Sequence, residues 1–163
     1  MNDKNLKMML EAYIKRFRMS CRGGGMIFWA GPILPISIEE INFRQLQKEN
    51  AGETFSKMLL RLIDESGEKK SVIYTRANID RRHFSKIVNH EDYKPSKQTV
   101  LAFAIALELD FDKTQKLLAS AGYILNKSIL SDLIVSFFIE YKIFNVILVN
   151  QALYEYKQPL LGS

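Results

Sequence analysis

The stretch Ser71-Val-Ile-Tyr-Thr-Arg-Ala-Asn-Ile-Asp-Arg-Arg-His-Phe-Ser-Lys-Ile87 decides the fold, because it reads as two short helices joined by a tight turn. The first runs from about Ser71 to Ala77. Asn78 tolerates the left-handed conformation that a tight interhelical turn needs, and Asp80 is a good N-cap for a second helix from Arg81 to about Asn89. Stepping 100° per residue from Phe84 puts Ile87 and Val88 on the inward side of that second helix. Arg82, Lys86 and Asn89 fall opposite, flanked by Arg81, His83, Ser85 and His90.

Working outward, the periodicity gives more helices on both sides. Thr54 to Glu65 carries Phe55, Met58, Leu59 and Ile63 on one face and ends at Gly67, a natural C′ residue. After Pro95 a helix begins with Ser96 as N-cap and runs through Leu101, Ala104, Ile105 and Leu107. Another opens at Asp112, with Gln115 three residues later as in a capping box, and closes at Gly122. Beyond Tyr123, Ile129, Leu130, Leu133, Ile134, Phe137, Phe138 and Tyr141 form a wide apolar stripe, and Phe144, Ile147, Leu148, Leu153 and Tyr154 suit a second helix. The run Val146 to Val149 suits a strand equally well. Core packing explains most of this surface, and the remainder is a candidate dimer interface.

Five short helices with the second and third joined by a tight turn are arranged as in lambda-repressor-type helix-turn-helix domains. The stretch from Ser71 to Ile87 resembles the helix-turn-helix of the Cro/CI (XRE) family, with Asn78 where that family most often has Gly and with Ile79, Phe84 and Ile87 at its three core positions. Lys94-Pro-Ser96 and Leu109-Asp-Phe-Asp112 resemble the entries to that family's fourth and fifth helices. His90-Glu-Asp-Tyr93 replaces the usual acidic-x-Gly ending of its third. A closer similarity joins Glu53-Thr-Phe-Ser-Lys-Met-Leu-Leu60, Ala77-Asn-Ile-Asp80, Tyr93-Lys-Pro-Ser96, Ala119-Ser-Ala-Gly-Tyr123 and Gln158-Pro-Leu-Leu-Gly162 to a module often fused behind bacterial macro domains. Residues 1 to 52 show no macro-domain pattern, so ADP-ribose chemistry does not carry over.

Charge points the same way. The window from Lys69 to Lys97 holds eight basic residues against Asp80, Glu91 and Asp92, so it contains all of the chain's net charge of +5. A basic patch of this kind is the footprint of a polyanion partner, although solvated charged faces are common. The resemblance implies duplex DNA. Arg81, Arg82, Ser85, Lys86 and Asn89 are the candidate base contacts, since Arg and Lys bond guanine O6 and N7 and Asn the N6 and N7 edge of adenine. Lys70, Ser71, Lys94, Ser96 and Lys97 are the candidate phosphate contacts, around two helix N-termini with open N–H groups. Glu91 and Asp92 oppose close backbone approach on one side.

The 163 residues are 47% hydrophobic and 25% charged, enough to build a genuine core. A single cysteine, Cys21, forms no intramolecular disulfide, and His83 and His90 are too few for a four-ligand zinc site, which implies a reduced intracellular setting. In the first segment, Leu6, Met9, Leu10, Tyr13, Ile14 and Phe17 mark an amphipathic helix that ends before Gly23-Gly-Gly25. The apolar stretch from Gly23 to Ile38 is shorter than the roughly 20 residues of a spanning helix and contains Pro32 and Pro35. It reads as an irregular connection, and Ile27, Phe28 and Trp29 within residues 26–38 offer a docking patch for a protein partner or a second copy. No signal-peptide core is present, and a cytoplasmic location follows. The glycines lack a following Gly-Lys-Ser/Thr, Cys21 lacks a nearby histidine, and the adjacent Glu39 and Glu40 point apart, so no catalytic site is expected.

The expectation is thus an all-α protein. Residues 1–52 form an N-terminal helix and connection, 53–123 a lambda-repressor-like helix-turn-helix domain, and 124–163 a C-terminal helical extension. Its function would be sequence-specific DNA binding in transcription regulation, without catalysis, metal or cofactor, by a homodimer on two half-sites. The alternative is a noncatalytic protein-interaction module accessory to a larger bacterial system.

Overall fold

The computed structural model describes residues 3–22, 53–90 and 93–162. Among them the regular structure is entirely helical, in eight elements: α1 (Asp3–Arg22), α2 (Phe55–Ser66), α3 (Lys70–Arg76), α4 (Arg81–Asn89), α5 (Lys97–Ala106), α6 (Phe111–Ser120), α7 (Leu130–Glu140) and α8 (Val146–Glu155). The Gly23–Gly25 break, the apolar patch of residues 26–38, Glu39, Glu40, Glu91 and Asp92 lie outside the described residues.

Helix starts follow from short polar side chains that satisfy first-turn N–H groups. Thr54 accepts from Lys57 N, Asp80 from Arg82 N and His83 N, Ser96 from Thr99 N, and Asn145 from Ile147 N and Leu148 N. One start differs from expectation. Asp110, with an extended backbone, caps α6 by accepting from Lys113 N at 2.8 Å, and Asp112 sits inside the first turn, where its charge suits the helix dipole. Gln115 closes no capping box. Its Oε1 accepts from Leu125 N at 3.0 Å and secures the loop after α6.

Five helices stop in one way. After α3, α5, α6, α7 and α8, a residue in the left-handed region (Asn78, Glu108, Gly122, Lys142, Lys157) donates its N–H three residues back, and the next N–H reaches five residues back. Only Gly122 among them is the residue that adopts this conformation without strain. Lys142→Gly is therefore expected to stabilise the protein by about 0.5–1 kcal/mol, the left-handed cost of a side chain less the extra chain entropy of glycine. A higher thermal midpoint checks it; an unchanged or lower one refutes it.

α5 is the centre of the molecule. Every residue from Thr99 to Ala106 is buried, and its three alanines allow close approach by neighbours. It packs against α3, α6 and α8; α2 packs on α4 and α6, and α7 on α1, α6 and α8. The expected boundary at 123 is therefore not a boundary of the core. Leu133, Ile134, Phe137, Phe138, Val149 and Leu153 share one buried cluster with Phe55, Leu59, Phe84 and Phe103. The stretch from Val146 to Val149 is helical, its apolar residues being buried one turn apart rather than alternately. α1 joins the same cluster through Leu10, Tyr13 and Ile14, with Tyr13 edge-on to Phe137 at 5.3 Å. Most of the apolar stripe of the tail is thus consumed internally, leaving Ile129, Tyr141, Ile147 and Tyr154 exposed.

Candidate nucleic-acid interface

α4 is anchored chiefly by its inner face. Phe84 stacks obliquely on Tyr74 at 5.2 Å and on Phe103 at 6.0 Å, and Ile87 is fully buried. The Ser56 hydroxyl of α2 donates to the carbonyl of Ile87, which ties down the C-terminal turn of α4. These anchors fix the rotation of the helix. Arg81, Arg82, Ser85, Lys86 and Asn89, the five candidate base contacts, are accordingly all exposed on one face.

Parts of that face are pre-arranged. Asn89 Nδ2 donates to Ser85 Oγ at 2.9 Å, one turn away, so the amide plane is oriented before any ligand arrives. Tyr93, which is not among the residues expected to form the site, lies against the helix. Its hydroxyl is 3.3 Å from His83 Nε2, the two rings meet edge to face, and the Lys86 ammonium rests 4.5 Å above the tyrosine ring. Asp80, Arg81, Arg82, His83, Lys86 and Tyr93 line an open concavity. His83 is half-buried rather than a free surface contact. The sequence singles out Tyr93 only through the Tyr93-Lys-Pro-Ser96 likeness, and an aromatic residue shortly after a polar helix is too common to mark it as a neighbour of His83 and Lys86.

The N-terminus of α4 is already occupied. The Asp80 carboxylate accepts from Arg82 N at 2.7 Å and His83 N at 2.9 Å, and these backbone N–H groups, that of His83 foremost, hold its carboxyl below the usual range. A phosphate is disfavoured there. The side of α4, not its end, is the surface open to a polyanion.

The candidate phosphate contacts divide. Lys70 and Ser71 are exposed in the first turn of α3, whose N-cap Lys69 makes no side-chain capping bond. Lys94 is exposed, with its ammonium 5.1 Å above the Tyr123 ring. The Ser96 hydroxyl caps α5 through Thr99 N and also bonds Thr99 Oγ1 at 2.9 Å. Lys97 is engaged elsewhere in the fold. Its side chain is only 21% exposed and its ammonium pairs with Asp132 of α7, whose side chain is 4% exposed, so the charge is already committed within the fold. Arg76 likewise pairs with Glu68 at 3.0 Å. Of the eight basic residues in the window, Lys69, Lys70, Arg81, Arg82, Lys86 and Lys94 are exposed and in no ion pair among the described residues.

Among the described residues no cluster of three His, Cys, Asp or Glu side chains could hold a metal ion, and no helix is long and apolar enough to cross a membrane. Fold and site together define an all-α protein presenting one polar, positively charged helix face. No family model, curated protein or solved structure matches the chain.

Proposed function

We propose that the protein binds double-stranded DNA sequence-specifically as a transcriptional regulator, with α3 and α4 as a helix-turn-helix of the Cro/CI (XRE) kind and α4 as the groove-reading helix. One observation carries this reading: a short helix anchored by Phe84 and Ile87 exposes Arg, Lys, Ser and Asn on a single face within the stretch from Lys69 to Lys97, whose charge of +5 equals that of the whole chain. A helix fits the major groove, and these side chains are the ones that bond base edges there. The half-site of one such helix is too short for a genome, so two copies about 34 Å apart complete the reading, through apolar surface such as Ile147 and Tyr154, seven residues apart on α8.

Selection of bound duplexes from a random pool tests it, followed by titration of the selected and a scrambled site. Arg82→Ala should cost about 1–3 kcal/mol on the selected site and relax base preference there, with a smaller loss on scrambled DNA. Equal losses on both would remove Arg82 from base readout. No enrichment of any sequence would favour the protein-interaction module instead.

A further inference from the structure

The last described residues are built into the turn between α3 and α4. Gly162 is buried with φ 83°, and a Cβ there would lie 2.3 Å from the Ala77 carbonyl oxygen and 2.9 Å from that of Asn78. No side chain fits without separating the tail from the turn. The preceding Leu161 is 2% exposed and is gripped at two points by Asn150 of α8. Its N–H donates to Asn150 Oδ1 at 2.7 Å, and its carbonyl accepts from Asn150 Nδ2 at 3.0 Å. α8 in turn packs on α5 and α7. A rigid path therefore runs from the core through Asn150 and Leu161–Gly162 to the backbone of Ala77 and Asn78.

That turn is in need of support. α3 has seven residues and one fully buried side chain, Ile73, too little to hold a helix of this length by itself. Asn78 sits at φ 56°, a conformation that costs a non-glycine residue free energy and persists where the surroundings enforce it. Two hydrogen bonds close the turn, Asn78 N to Thr75 O at 3.0 Å and Ile79 N to Tyr74 O at 2.9 Å, and Asp80, the cap of α4, follows at once. Whatever moves Ala77 and Asn78 re-aims α4.

We propose that Asn150, Leu161 and Gly162 are positioning residues for nucleic-acid recognition: the C-terminal tail braces the turn between α3 and α4 and so sets the pose of the α4 face without touching the ligand. This rests on the DNA-binding reading above. Gly162→Ala tests it, with a chain ending at Pro159 as a second variant, through amide hydrogen exchange and titration of duplex DNA. Exchange at the Asn78 and Ile79 amides should quicken by at least about tenfold, while the Leu117 and Leu118 amides of α6 keep their protection. Affinity for the selected duplex should fall on the order of tenfold. Equal acceleration in α6 would reduce the tail to general packing, and unchanged turn amides would remove the brace altogether. Turn-specific exchange in a protein whose wild type binds no duplex would leave the brace standing and overturn the nucleic-acid reading alone.

Discussion

Lys97→Met should lower the stability of the protein by about 3 kcal/mol, at the low end of the 3–5 kcal/mol that follows from removing one partner of a buried ion pair. The Asp132 carboxylate is almost fully enclosed and has two partners, the Lys97 ammonium and Asn126 N at 2.8 Å. Methionine keeps the apolar stem and removes the charge, which leaves the carboxylate with one N–H in a poorly solvated place. The low end applies because the Lys97 side chain is one-fifth exposed, so water screens part of the attraction. Lys97→Met/Asp132→Asn should recover more than half of the loss, since the amide oxygen still accepts from Asn126 N and no buried charge remains. Urea denaturation of the three proteins checks both statements. A single-variant cost below about 1 kcal/mol would put the pair among ordinary surface ion pairs and return Lys97 to the candidate phosphate contacts.

The same residue shows where sequence reading stops. Helices spaced by Gly67, Asn78, Pro95 and Gly122 were legible because their apolar periods and caps are local, and the inward set Phe84 and Ile87 followed from a 100° step. Partners far along the chain leave no such mark. Asp132 lies 35 residues from Lys97, in a segment that reads as a separate extension, so the ammonium counts as available when formal charges are summed. Asp110 and Asp112 are equally good caps by composition, and only the backbone of Asp110 and its bond to Lys113 N distinguish them. Gln115 fits a capping-box pattern while its actual acceptor role lies ten residues downstream. Gly162 and Ala77 meet across most of the chain, a contact that neither period nor spacing encodes.

The affinity for duplex DNA should fall by up to about a thousandfold between 50 and 200 mM monovalent salt, with a slope of log affinity on log salt no steeper than about −5. Each neutralised phosphate contributes about 0.9 to that slope, and the limit is reached when all six exposed cations, Lys69, Lys70 and Lys94 together with the base-reading Arg81, Arg82 and Lys86, also neutralise phosphates. Counting all eight basic residues of the window would instead give a slope near −7. The measurement therefore tests whether Arg76 and Lys97 are committed to Glu68 and Asp132 while DNA is bound. Single substitutions sharpen it: Lys70→Gln should take about 0.9 off the slope, whereas Arg76→Gln should leave it nearly unchanged. The order matters more than the absolute values, because it depends on which charges the fold has already paired. A flat slope would remove phosphate neutralisation as the source of affinity, and absence of binding at 50 mM would hand the exposed α4 face to a protein partner.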